Sequence, residues 1–125
     1  MWLSIAAISI GAAVGANLRW ALGLCCNHWF GAVPPGTLIA NLGGAWLIGV
    51  AVGYFSQAPV SPEWRLLIVT GLLGALTTFS TFSLEMVDTL QAGKWMVAVG
   101  GILAHVLGSL LLTFLGILTY QWLKS

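Results

Sequence analysis

Residues 74–83 read GALTTFSTFS. Five hydroxyl side chains, Thr77, Thr78, Ser80, Thr81 and Ser83, stand here inside a run that is otherwise apolar enough to cross a bilayer. The run opens after Pro62 with Glu63-Trp64-Arg65 and closes near Asp88 to Gly93. Taken as residues 64–90 it would be ~40 Å long at ~1.5 Å per helical residue, against a bilayer core of ~30 Å. One straight helix is too long, so an interruption is expected around residues 71–77, GLLGALT. Carbonyls exposed by such a break find no donor in lipid, and irregular backbone at membrane depth has to be buried in protein or line a polar cavity. In broken transporter helices these carbonyls coordinate cations.

After the break, Phe79 and Phe82 are three apart and share one helix face, Thr78 and Thr81 form a parallel row, and so do Ser80 and Ser83. Two readings fit this pattern. In the first, hydroxyl donors and the positive edges of the aromatic rings replace water around a small anion without adding a fixed charge, weakly enough to release it. In the second, the hydroxyls bond back to the preceding turn and the phenylalanines are core.

Composition sets the solvent. The 125 residues are 59% hydrophobic and 6% charged, with mean hydropathy +1.00, whereas soluble domains carry about 25% charged residues. The chain is therefore read as an integral membrane protein, a single all-α domain over residues 1–125. Four spans fit, at about 2–24, 37–55, 64–90 and 95–122. No charge precedes Arg19, so the basic leader of a cleavable signal is missing and the first run is taken as a membrane helix. Pro34-Pro35-Gly36 and Ser56-Gln57-Ala58-Pro59 bound the second span, and Lys94 and Lys124 bound the fourth. No room remains for a soluble domain.

The charges bear on orientation. With four crossings, Arg65 and Lys124 fall on one side and Arg19 and Lys94 on the other. Two against two gives no positive-inside bias, and the expectation is insertion both ways round, with an antiparallel homodimer as the working form. Four helices fill their own centre with side chains, so a pathway is easier to build between protomers. Gly11 with Gly15, Gly49 with Gly53, and Ala104 with Gly108 mark close helix approaches, within a chain or between chains.

Single polar residues inside the spans each leave two uses open. Asn41 can donate its amide to an anion or tie helices together. Arg19 can snorkel or make a structural bond, or it can supply a positive field at a vestibule. Glu85 and Asp88, three apart, suit a solvated helix end, with Glu85 able to reach something deeper. His105 reads as a neutral, hydrogen-bonded packing residue, since no acid shares its span, with a proton relay as the other use. The adjacent Cys25 and Cys26, with His28 and His105, form no metal or nucleophile constellation, and no enzyme activity is expected. Nucleic acid is not an expected partner. A small proton-coupled drug antiporter is the alternative function, but it requires a membrane carboxylate and the first span has no acid.

Three stretches, GAAVGANLRW at 11–20, PPGTLIANLGGAWLIG at 34–49 and TGLLGALTTFSTFSLE at 70–85, resemble the small bacterial fluoride channels of the Fluc/CrcB family. The resemblance runs along essentially the whole chain, and the third stretch is the most specific. It implies a dual-topology antiparallel homodimer with two pathways, passively exporting cytoplasmic fluoride across the bacterial inner membrane. By the same resemblance, Phe79 and Phe82 are the pore aromatics, Asn41 the pore amide, and Thr37, Ser80, Thr81 and Ser109 pathway hydroxyls. Arg19 matches a vestibule arginine and Glu85 the acidic residue after the motif. Gly74 and Thr77 match positions whose backbone carbonyls, from both subunits, hold a structural sodium ion (Na+). Ala75 stands where many members have a second glycine, and Gly101 where some have a tyrosine.

Overall fold

The computed structural model describes residues 1–27 and 34–125; His28, expected above to join no metal or nucleophile constellation, lies outside them. The described residues form helices: α1 (Trp2–Cys26), α2 (Pro35–Gln57), α3 (Pro62–Arg65), a π-helical segment (Leu66–Leu73), α4 (Gly74–Leu76), α5 (Phe79–Gln91) and α6 (Trp95–Lys124). Four runs are long and apolar enough to cross a membrane: α1, α2, the composite Pro62–Gln91, and α6.

Local chemistry explains where the helices start and stop. Pro35 and Pro62 open α2 and α3, where a missing N–H is harmless and φ is already helical. Asn27, at the end of α1, accepts the Gly36 N–H through Oδ1 at 2.7 Å and so ties down the start of α2. After α5, Gly93 takes φ 79°, a left-handed conformation that glycine adopts without strain.

The third span is broken, at the late edge of the expected window. Thr77 and Thr78 are extended, with ψ 156° and 125°. The π-helical turns before the break pack along α1. Added Cβ atoms on Gly11 and Gly15 would run into the carbonyl oxygens of Leu67 and Leu72, and one on Gly71 would lie 2.7 Å from the Ile8 carbonyl. On the other side of the molecule, α2 and α6 make the most extensive contact. There Gly49 faces the Thr113 carbonyl, Gly116 faces the Trp46 carbonyl, and Gly53 faces the Tyr120 ring. Gly11, Gly15 and Gly49 bring backbones of the same chain together, while Gly53 and Gly108 lie against the side chains of Tyr120 and Leu42.

The interior is thin. Ala40, Leu73 and Leu76 form a small buried cluster where α2 meets the end of the π-helical segment and α4. Large apolar side chains such as Leu103, Leu107, Leu111 and Phe114 are exposed along α6, as lipid contact requires. Cys25 is exposed and Cys26 buried at the end of α1, both as free thiols.

Candidate functional site

Asn41, near the middle of α2, meets the break directly. Its Oδ1 accepts the Thr78 N–H at 2.7 Å, and its Nδ2 donates to the Thr78 carbonyl at 3.0 Å. The carboxamide thus pairs with an extended residue much as a neighbouring strand would. Nδ2 also lies 3.0 Å from Nδ1 of His105 on α6. One side chain therefore joins α2, the break and α6, and both its amide hydrogens are engaged.

The break separates helical carbonyls from their donors. In a continuous helix the carbonyls of Gly74 and Thr77 would pair with the amides of Thr78 and Thr81, four residues on. Both amides are diverted. Asn41 takes Thr78 N–H, and the Thr78 hydroxyl, capping α5, accepts Thr81 N–H at 3.1 Å. The carbonyl of Ala75, between them, accepts from Arg19 Nε at 3.2 Å. Gly74 and Thr77 are thus left with hard carbonyl oxygens whose helical donors have gone elsewhere, a donor set that suits a hard monovalent cation such as sodium.

Arg19 serves the break instead of snorkelling, and its loss has a definite expected effect. Arg19→Met keeps the apolar stem but leaves Ala75 O unpaired, and thermal unfolding in detergent should show a loss of about 1–2 kcal/mol. An unchanged melting curve would return Arg19 to an interfacial role.

Five of the residues expected to matter line one groove of about 390 Å³ between α2, the break, α5 and α6: Asn41, Thr77, Phe79, Phe82 and Ser109. Phe79 and Phe82 meet edge to face, with centroids 5.3 Å apart and planes at 74°. They are not equivalent in one chain, since Phe82 is 5% exposed and Phe79 74%. Phe82 also lies against the His105 ring at 4.4 Å.

Other expected residues sit elsewhere. Thr37 is buried and donates to Glu85 Oε2 at 2.6 Å, joining α2 to α5; Glu85 is half-buried and not at a solvated helix end. Asp88 is exposed. Ser80 is exposed and Thr81 half-buried on the first turns of α5, outside the groove lining. The hydroxyl stretch divides between the two readings: Thr77 bonds back to the Leu73 carbonyl at 3.0 Å and Thr78 caps α5, both local structural uses.

Two polar residues of the groove, His105 and Thr113, have no place in the path as read from sequence. The signal was present, because His105, Ser109 and Thr113 recur every four residues and so lie along one face of α6.

A polar seam running past a helix break, in a chain of four long apolar helices clad in exposed apolar side chains, defines the class as a multi-pass membrane protein with polar groups gathered at mid-span. Comparison with known proteins narrows the class. The family model described as CrcB-like protein, Camphor Resistance (CrcB), matches residues 6–117. A protein of Marinobacter nauticus named "Fluoride-specific ion channel FluC" is 63% identical over 126 aligned positions, covering 100% of both chains. One of the same name from Chromohalobacter salexigens is 62% identical, covering 100% of this chain and 96% of its own. Another, from Pseudomonas aeruginosa, is 57% identical over 98% of each chain. The chain belongs to the CrcB family.

Proposed function

We propose that this protein is a fluoride-selective channel that lets cytoplasmic fluoride leave a bacterial cell passively through its inner membrane. The observation that carries this reading is the groove of Phe79, Phe82, His105 and Ser109 beside the Asn41-braced break, in a chain whose relatives are named fluoride-specific channels. A proton-coupled drug antiporter is not favoured by those relatives.

The working unit is an antiparallel homodimer of chains inserted in both orientations, with two pathways. Support comes from the balanced charges of Arg65 and Lys124 against Arg19 and Lys94. It comes also from the 74% exposure of Phe79 beside a groove that one chain leaves open. A second copy would cover both.

Fluoride is small and holds its water tightly, so a path must replace that water with donors in steps. Ring edges of Phe79 and Phe82 offer positive quadrupole and Ser109 a hydroxyl within the groove, while Ser80 and Thr81, outside its lining in one chain, would offer theirs on the approach to it. None carries a fixed charge, so the ion is not trapped. Asn41 contributes by holding the break open, with Thr37 and Glu85 fastening α2 to α5 beside it. A sodium ion held by the Gly74 and Thr77 carbonyls would balance their partial negative charge, as structure and not as cargo.

Purified protein in liposomes, followed by a fluoride electrode with chloride as control, tests the reading: fluoride should leave and chloride should not. Equal release of both, or of neither, would refute it. A reporter on the C-terminus that appears on only one side of the membrane would remove the dual topology. Phe79→Ile and Phe82→Ile should each lower fluoride flux by roughly 2- to 10-fold, since a ring edge interaction of about 0.5–1.5 kcal/mol is lost, while the dimer persists on size-exclusion chromatography. Wild-type flux in both variants would exclude the ring edges from the path.

A further inference from the structure

The ring of His105 is 3% exposed, and its Nε2 is buried without a hydrogen-bond partner among the described residues. A buried polar atom left unpaired carries a cost of about 1–3 kcal/mol, and such atoms are few in native structures. This one lies beside the groove, on a residue that lines it.

Geometry decides which kind of atom it is. The Thr78 N–H can only donate, so the Asn41 atom 2.7 Å from it must be the oxygen. The amide nitrogen then faces the Thr78 carbonyl, which can only accept, so the orientation is determined twice over. Its second hydrogen meets His105 Nδ1 at 3.0 Å, and Nδ1 must accept. An imidazolium would set N–H against N–H there. A neutral imidazole therefore keeps its one proton on Nε2, and the unpartnered atom is a donor.

We infer that His105 Nε2–H is a hydrogen-bond donor to the partly dehydrated anion in the groove, and that Asn41 is the positioning residue that keeps the proton on that nitrogen. The inference rests on the channel reading above and assigns the donor role within it. Asn41 is unsuited to that role itself, having both hydrogens engaged. Phe82, lying against the imidazole at 4.4 Å, fixes the plane in which the donor points. Nε2 is shielded from solvent, so an anion reaches it only after shedding water and parting the neighbouring side chains. That condition favours the smallest halide. Ser109 and Thr113, one and two turns along the same face of α6, continue the row of donors.

The test uses the full chain in liposomes with fluoride as the probe. His105→Leu removes the donor at similar volume and should lower fluoride efflux roughly 10- to 100-fold, the loss of one hydrogen bond to a charged group. His105→Gln, which can accept from Asn41 and still donate, should restore most of it. Wild-type efflux that is unchanged in His105→Leu overturns this inference alone, whereas a wild-type protein passing no fluoride overturns the channel reading and this inference together. Should His105→Leu fail to fold, ¹⁵N-histidine NMR of the wild-type protein in detergent decides. The proton is expected on Nε2, with its resonance moving as fluoride is added. A proton on Nδ1, or an Nε2–H signal that ignores fluoride, overturns the inference.

Discussion

Asn41→Ala is expected to abolish most fluoride flux and to destabilise the fold together. The substitution removes the acceptor of Thr78 N–H, a donor to the Thr78 carbonyl and the partner of His105 Nδ1. An unpaired buried group costs about 1–3 kcal/mol, while hydrogen bonds between membrane helices average about 0.6 kcal/mol when measured by double mutation. Partial recovery is available here too, because the released Thr78 amide can return to the Gly74 carbonyl and make the third span more continuous. A net loss of about 2–4 kcal/mol is the expected outcome, roughly 30- to 1,000-fold when expressed as a rate or equilibrium. The recovery is itself damaging, since it withdraws a carbonyl from the proposed sodium site and recloses the break. Fluoride efflux from liposomes and thermal unfolding in detergent read the two effects separately. A variant that melts and conducts like wild type would show that the break does not depend on this amide.

Gly49→Val is expected to leave no folded protein. A Cβ at Gly49 falls on the Thr113 carbonyl oxygen and lies 2.9 Å from the Ile117 nitrogen and 3.0 Å from the Gly116 Cα. All three are backbone and cannot rotate aside. Gly116 in turn faces the Trp46 carbonyl, so the approach is close from both helices and relief requires α2 and α6 to separate. Since those two helices share the most extensive contact in the chain, separation forfeits packing worth more than about 4 kcal/mol, at the extreme of single substitutions. The readout is the yield of a monodisperse peak on size-exclusion chromatography. Gly53→Ala is the milder comparison: its Cβ meets the Tyr120 side chain, 2.8 Å from a ring carbon that can rotate away and 3.1 Å from its Cβ, and no backbone atom of α6 is among its three nearest contacts. Equal yields from the two variants would contradict the backbone contact.

Sequence and tertiary structure carry two kinds of information. Span number follows from composition and length, because lipid admits only segments that bond internally and cover about 30 Å. The break was legible for a related reason: residues 64–90 are too long for one straight crossing, and glycine and hydroxyl residues fall in the middle. Its position shifted from 71–77 to Thr77–Thr78 because the residues before it remain helical in π-type turns packed on Gly11 and Gly15 of α1. Periodicity cannot report a contact with another helix.

Side-chain assignments divide the same way. Asn41, Phe79 and Phe82 could be singled out because a polar or paired aromatic residue in an apolar span demands an explanation, whereas Ser109 came only with the family resemblance. What each of them touches was not readable, because a carboxamide, a guanidinium or a carboxylate in a span has several possible partners and only folding selects one. Arg19 found the Ala75 carbonyl and Glu85 found Thr37. His105 was taken for packing, since a lone imidazole in an apolar helix shows neither its tautomer nor its neighbours.

The sequence by itself thus determined the solvent, the number of crossings, the need for an interrupted third span and the residues that resemble a fluoride channel. These follow from hydropathy, length and local pattern, which are properties of a chain before it folds. Tertiary structure alone decided that Asn41 and Thr78 divert two amides from the carbonyls of Gly74 and Thr77, and that Asn41 Nδ2 faces Nδ1 of His105. Hydrogen bonds between α2, the break and α6 link residues 37 and 64 positions apart. Such partners are chosen by how the helices pack, and no local pattern in the sequence encodes that choice.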